Sequence, residues 1–179
     1  MERSFVMIKP DGVKRELVDQ IIQRFTDVGL NVTTRKETAV DSDLALRHYT
    51  DSDTWYASVG SKTVASYQKQ GLDINKIFGS DNPVAVGKQI RQWMATFLGS
   101  GPVVAMIVEG PEGTIQKIRD LVGATSPEYA DKGTIRGDYG IDSYAKANGE
   151  GRALENLVHA SESVPEAARE IKLWFPELA

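Results

Sequence analysis

The chain of 179 residues contains no cysteine. A disulfide framework is therefore excluded, and so are thiolate nucleophiles and thiolate metal sites. Such a sequence suits a reducing cytoplasm. Histidine is nearly as scarce: any imidazole chemistry must use His48 or His159, the only two. No apolar run approaches the roughly 20 residues that span a bilayer. The opening Met1-Glu2-Arg3-Ser4-Phe5 lacks the regions of a secretory leader, so neither a membrane nor an exported protein is expected. A basic excess is also missing. The 25 Asp and Glu outnumber the 21 Lys and Arg, leaving a net charge of −4, which argues against a nucleic-acid partner. There is no G-x-G-x-x-G fingerprint. Gly60-Ser61-Lys62-Thr63 holds only a fragment of a P-loop, without its upstream glycine spacing.

What is present is ordinary for a folded protein: 41% hydrophobic and 26% charged residues. The length suits one domain, residues 1–179, with a core of its own. Phe5-Val6-Met7-Ile8 is a short continuous apolar run, the pattern of a strand buried on both faces, and Lys9-Pro10-Asp11-Gly12 reads as a turn after it. Leu17, Val18, Ile21, Ile22, Phe25 and Val28 lie on one helical face, with Gly29 at the capping position. Leu30 to Val40 is a more polar strand, expected nearer an edge, followed by a short helix over Ser42 to Tyr49. Two helical patterns follow, Ser58 to Gln70 and Val84 to Leu98. They make residues 50–99 a helical insertion rather than a domain. Val103 to Val108 predicts a second buried strand, and Ile115, Ile118, Leu121 and Val122 a helix ending at Gly123. Ala124 to Glu155 has little periodicity, and long structureless loops in compact domains are usually functional. Leu157-Val158 is a short strand. Ser163-x-x-Glu166 opens a last helix as a capping box, and Pro176 stops it. The order predicts an α/β (α+β) ferredoxin-like β-α-β-β-α-β sandwich: a four-stranded antiparallel sheet with helices on one face.

Three places could carry chemistry. Lys9 ends a buried strand, a rigid mount for a functional group, although position alone favours a charged residue marking the strand's exit into solvent. Gly133-Thr134-Ile135-Arg136-Gly137-Asp138, with Thr125-Ser126-Pro127 upstream, puts an arginine and hydroxyls on an irregular loop that could wrap an anion. Arg119 could add a second guanidinium fork. His159 lies just before a helix start, where a phosphate is favoured, and Glu170 is near enough in sequence to fix its tautomer.

Together these segments resemble the nucleoside diphosphate kinases. The resemblance rests on Glu2 to Val13, His48-Tyr49, Ser100 to Met106, Gly123-Ala124-Thr125-Ser126-Pro127, Gly133 to Tyr139, Asn156-x-x-His159-x-Ser161-Glu162-Ser163 and Glu170-Ile171-x-x-Trp174-Phe175, in that order. It implies ping-pong phosphoryl transfer. His159 would take the γ-phosphate of a nucleoside triphosphate, mainly ATP, and pass it to a nucleoside diphosphate. Lys9 would contact the ribose hydroxyl and the transferring phosphate, with Tyr49 beside it. Arg119, Thr125 and Arg136 would bind phosphate oxygens, Asn156 the ribose, and Glu170 would position His159. Mg²⁺ would arrive with the nucleotide, bridging its phosphates, with no metal ligand from the protein. The resemblance also implies a homo-oligomer, a tetramer or hexamer.

The chain departs from the family pattern in two places. Between Tyr49 and Gly101 it runs about thirty residues longer than usual, where the base-stacking aromatic normally lies, so Trp55 and Tyr56 are the candidates. A second insertion of about ten residues, within 140–154, lies in the long loop. Glu162 stands where Asp is commoner and Ala160 where Gly is frequent. Neither removes a needed chemical group. A non-catalytic nucleotide-sensing module on the same fold is the rival reading.

Overall fold

The computed structural model describes residues 1–178. The sheet is built from β1 (Glu2–Ile8), β2 (Asn31–Thr38), β3 (Val103–Gly110) and β4 (Val158–Ala160), in the order β2-β3-β1-β4 with every neighbouring pair antiparallel. The helices are α1 (Pro10–Lys14), α2 (Val18–Thr26), α3 (Ser42–His48), α4 (Asp53–Lys69), α5 (Ile74–Phe78), α6 (Pro83–Leu98), α7 (Thr114–Val122), α8 (Ile135–Tyr139), α9 (Tyr144–Glu150) and α10 (Val164–Trp174). Two β-α-β units therefore interlock, each central strand sitting between the two strands of the other unit.

Helices cover both faces of this sheet, not one. The even-numbered residues Val6, Ile8, Val104, Met106 and Val108 point to a core with Ile21 and Phe25 of α2 and Ile118 and Val122 of α7. The odd-numbered Phe5, Met7, Val103, Ala105 and Ile107 meet Ala45 of α3, Ala95 and Leu98 of α6, and Ile171 and Trp174 of α10. Unbroken apolar runs in β1 and β3 demand this, because alternate side chains need burial on opposite sides. β2 alternates exposed and half-buried residues and occupies an edge, as its polarity requires.

Several boundaries differ from the sequence reading. Lys9-Pro10-Asp11-Gly12 starts α1 rather than a turn: Lys9 is the N-cap and Pro10 takes the first helical position, where its missing N–H costs nothing. α4 begins at Asp53, capped by the Ser52 hydroxyl accepting from Trp55 N–H. The stretch 124–155 contains α8 and α9. At five and seven residues they are too short to show a helical period. At Ser163 the hydroxyl accepts from Glu166 N–H, but the Glu166 carboxylate pairs with Arg169 instead of completing the capping box.

α4 and α6 form a helical hairpin with backbones in contact. A Cβ on Gly60 would lie 1.8 Å from the Pro83 carbonyl oxygen, and one on Gly87 would lie 2.2 Å from that of Tyr56. Only glycine permits this approach. A separate cluster of Tyr67, Ile74, Val86, Ile77 and Phe78 closes the hairpin's outer end.

Candidate active site

The nucleophile candidate is held by the shortest strand. β4 pairs only with β1, placing Met7 opposite His159. Just before it the chain makes a tight turn, with Val158 N–H donating to the Asn156 carbonyl at 2.8 Å and Leu157 at φ +68°. That is a γ-turn about a branched residue, a strained conformation that the surroundings must impose. They do so from the other end of the chain. Leu157 N–H donates to Asp11 Oδ2 at 3.0 Å, and Lys9 N–H donates to the Leu157 carbonyl at 2.8 Å. Burial pushes the Asp11 carboxyl up, against the pull of Lys9 and the backbone N–H groups.

His159 Nε2 lies 2.7 Å from Glu170 Oε1. Glu170, only 3% exposed, has its other oxygen 2.6 Å from Ser161 Oγ, which donates to it. The same hydroxyl accepts from Phe5 N–H at 3.1 Å. A buried carboxylate next to an imidazole nitrogen places the proton on Nε2 and leaves Nδ1 as the lone-pair nitrogen. His48 packs edge-on against His159, ring centroids 4.5 Å apart. Trp174 Nε1–H donates to His48 Nδ1 at 3.3 Å, and an indole can only donate, so the His48 proton sits on Nε2. Burial, with the charges of His159, Lys9 and Arg169, holds His48 well below the usual imidazole range. His48 is thus a neutral neighbour of His159. Neither its proximity nor the Ser161 link is evident from residue order, although Ser161 stands at His159 + 2, the same-face position on a strand.

A cleft of about 550 Å³ opens above these groups, lined among others by Lys9, Tyr49, Trp55, Met94, Arg119, Thr125, Arg136, Asn156, His159 and Glu170. A concavity of about 640 Å³ lies elsewhere, between the chain start and α10. Its lining contains neither histidine. Lys9 Nζ donates to Asn156 Oδ1 at 2.8 Å, and the Asn156 amide donates to the Thr125 carbonyl at 2.9 Å. Burial, helped by Arg136, brings Lys9 down to about 8. Tyr49 is buried with an unpartnered hydroxyl and is pushed up by burial and by Glu170. Arg119 is half-exposed and pairs loosely with Glu162 at 3.8 Å.

Two of the predicted residues are placed otherwise than as free groups facing the cleft. Arg136 is not a free fork: Nε donates to the Asn156 carbonyl, Nη1 to those of Gly123 and Ala124, and Nη2 to that of Val158. Four of its five N–H groups are engaged, so one is left for an anion. Burial lowers it to about 10. These bonds clamp the 123–124 loop to the strand bearing His159. Tyr56 does not reach the cleft. It is 4% exposed and its hydroxyl donates to Asp51 at 2.7 Å, because its neighbour Trp55 takes the cleft-facing side of α4.

His48, His159 and Glu170 offer ligand atoms within 4.8 Å of one another. His159 and Glu170 are hydrogen-bonded to each other and Glu170 to Ser161, while His48 Nδ1 accepts from Trp174, so these atoms are engaged in positioning protons rather than arranged as a metal cage. The other acids lining the cleft, Glu162 and Glu166, face Arg119 and Arg169. Among the described residues lining the cleft there is no free carboxylate cluster that would hold a metal ion by itself, and a divalent cation would fit here on a substrate's phosphates.

An oriented histidine beneath a cleft lined by Lys9, Arg119, Arg136 and Arg169 is the kind of arrangement that a phosphotransferase working through histidine requires. Comparison with known proteins gives the particular family. The pattern described as "Nucleoside diphosphate kinase" matches residues 2–63 and 83–179. The chain is 43% identical over 177 residues to the nucleoside diphosphate kinase of Pyrobaculum aerophilum, covering 99% of this chain and 96% of that one. A crystal structure of an NDP kinase from the same organism superposes with a TM-score of 0.95 at 44% identity, over 97% of this chain and 95% of that one. A transition-state mimic of the Borrelia burgdorferi enzyme, with bound vanadate and ADP, gives 0.75 at 32% identity, over 97% and 86%. The chain belongs to the nucleoside diphosphate kinase family, and it is an enzyme of that kind.

Proposed function

We propose that His159 Nδ1 attacks the γ-phosphorus of a nucleoside triphosphate, mainly ATP. The N–P bond forms as the bond to the β–γ bridging oxygen breaks, and the nucleoside diphosphate leaves with that electron pair. The phosphohistidine then reacts in reverse with a second nucleoside diphosphate, maintaining nucleoside and deoxynucleoside triphosphate pools. The observation that carries this reading is the Ser161–Glu170–His159 chain at the floor of a cleft bearing Lys9, Arg119 and Arg136. Glu170 stabilises positive charge on the imidazole as the bond forms, without taking its proton. The Lys9 ammonium faces the same space and, at about 8, is mostly charged at neutral pH. Phosphoryl transfer asks little more of a protein than such positioning and charge neutralisation.

The remaining assignments follow the geometry. The single free N–H of Arg136, together with Arg119 and Thr125, serves phosphate oxygens. Asn156 borders the sugar side, with the Tyr49 ring lining the cleft near Lys9. Trp55, with Met94, offers the base a flat apolar wall. Stacking makes no bond to the base edge, so purines and pyrimidines should both be accepted. Family members work with a divalent cation. Mg²⁺ carried on the nucleotide is the species we assign, where it would neutralise charge on the transferring group.

We also assign a cytoplasmic location and a tetrameric or hexameric assembly. Among the described residues, no helix is long and apolar enough to cross a membrane. The outer edge of β2 is unpaired in the single chain and open to pairing. Incubation with ATP labelled on the γ-phosphate tests the chemistry. Label should be acid-labile and alkali-stable, lost in His159→Ala and kept in His48→Ala. Labelled His159→Ala would refute the mechanism, and unlabelled wild type would favour a nucleotide-sensing module.

A further inference from the structure

Residues 64–82 lie outside the family pattern. They form the outer end of the α4–α6 hairpin, and they are tied to α9. Tyr67, 1% exposed, donates its hydroxyl to the Asn148 carbonyl of α9 at 3.2 Å. Gly151, the left-handed cap of α9, lies against Ile77 and Trp93: a Cβ built on it would be 3.8 and 3.9 Å from their side chains. The other end of α9 is tied elsewhere. Tyr144 N–H donates to Glu128 Oε1 at 2.9 Å, and that oxygen accepts from Ser126 Oγ at 3.0 Å. Ser126 adjoins Thr125, whose carbonyl takes the Asn156 amide. One short helix thus runs from the hairpin carrying Trp55 and Met94 to the loop carrying Ala124 and Thr125. Both line the cleft.

We propose that α9 is a strut setting the separation of the cleft's base wall and phosphate wall, with Tyr67 and Glu128 as positioning residues at its two ends. This rests on the nucleotide-site reading above. The mechanics follow from leverage. At its inner end the hairpin is pinned by Arg91, whose Nη2 donates to the Leu46 carbonyl at 2.6 Å. Ala95 and Leu98 also seat the inner end of α6 in the core, so the outer end, packed in a cluster of its own, is the part left to be positioned. Tyr67 lies roughly 18 Å along α4 from Trp55, at about 1.5 Å per residue, so a tie there fixes the hairpin's angle with a long lever arm. Lys9, His159 and Glu170 sit on or beside β1, β4 and α10. Neither Tyr67 nor Glu128 hydrogen-bonds to these elements. The strut therefore governs how tightly nucleotide is held and leaves the chemical step alone.

The test is a double-mutant cycle in the full chain with Tyr67→Phe and Glu128→Ala. Neither should threaten the fold, since one removes a single hydroxyl and the other changes an exposed side chain. Measured are KM for ATP and for a nucleoside diphosphate, the phosphoenzyme formation rate at saturating ATP, and the melting temperature. Each single change should raise both KM values about 2- to 12-fold, the range for one lost hydrogen bond, with the saturating rate unchanged. Glu128→Gln, which keeps an acceptor oxygen, should restore most of the affinity. Because the ends act in series, the double variant should be no worse than the worse single variant. Multiplying effects would show two independent contacts and overturn the strut. So would unchanged KM in both singles, or a fall in saturating rate alone. A wild-type protein that forms no phosphoenzyme would refute the underlying site reading instead, a result separable from all of these.

Discussion

Glu170→Gln isolates what a negative charge beneath His159 contributes. The exchange preserves shape, and the neighbouring groups can accommodate it. Ser161 Oγ now donates to Glu170 Oε2, but the Phe5 carbonyl lies 3.2 Å from the same hydroxyl. If the glutamine nitrogen takes the Oε2 place, Ser161 can turn its proton to Phe5 and accept from the amide. Glutamine Oε1 can still accept from His159 Nε2–H. What is lost is charge. Hydrogen bonds to a charged partner contribute about 1.5–3 kcal/mol, against about 0.5–1.5 for neutral pairs. The imidazole becomes cationic only as the N–P bond forms, so about 1–2 kcal/mol should be lost from the transition state, a roughly 5- to 30-fold slower reaction. Rapid-quench measurement of phosphoenzyme formation at saturating ATP reads this directly, and KM should stay near its wild-type value. A rate within twofold of wild type, or an effect confined to KM, would refute the charge argument. Ser161→Ala should be the less specific lesion, since it also strips Phe5 N–H of its partner and should lower the melting temperature as well.

Three further outcomes are expected. Nucleotide affinity should weaken as pH rises through about 8, where unliganded Lys9 loses its proton, while bound phosphate raises the lysine again and protects the saturated rate; KM–pH profiles check this. In the free protein the Lys9 value lies below the ordinary 10.5, so the unfolded chain binds the extra proton between the two and this group's contribution to stability rises with pH across that window. Arg136→Lys should lose turnover by about 10²-fold or more and also lower the melting temperature, because an ammonium cannot bridge four carbonyls held in a planar fork; near-normal values of both would show the clamp to be dispensable. Trp55→Ala should raise KM for every nucleoside diphosphate by about 5- to 150-fold, the equivalent of roughly 1–3 kcal/mol of stacking. Tyr56→Phe should leave KM unchanged, and a reversed order would return Tyr56 to the base wall.

The sequence carries the sheet because β1 and β3 are short unbroken apolar runs: Phe5-Val6-Met7-Ile8, closed by Lys9-Pro10, suits a strand needing cover on both sides. Its continuity also predicts helices on two faces, a consequence the one-sided reading overlooks. The short elements are opaque for a geometric reason. α1, α8 and α9 span one or two turns, too few for a period to emerge, and they stand on caps such as Thr134 and Ser143. At the site, residue types and order point to the groups that the structure gathers around one cleft. Order cannot reveal what each side chain already holds. The engagement of Arg136 with four carbonyls, and the burial of Tyr56 beside exposed-side Trp55, depend on which way each Cβ points after the loops have closed. His48 is a similar case, brought beside His159 by α3 packing across β1 under Trp174.

The pairing of β1 with β4 has a consequence for the timing of synthesis. Lys9 and Asp11 leave the ribosome first, yet the turn they impose on Leu157 and the hydroxyl that Ser161 turns toward Phe5 wait for a stretch of chain about 150 residues downstream. Glu170 emerges later still. A nascent chain can form β2, β3 and the helical hairpin while the histidine's environment does not yet exist. Reactivity toward ATP should therefore switch on only when β1 has met β4 and α10, after Glu170 has been made. Acid-labile phosphate on ribosome-stalled chains of increasing length would date that event to the residue.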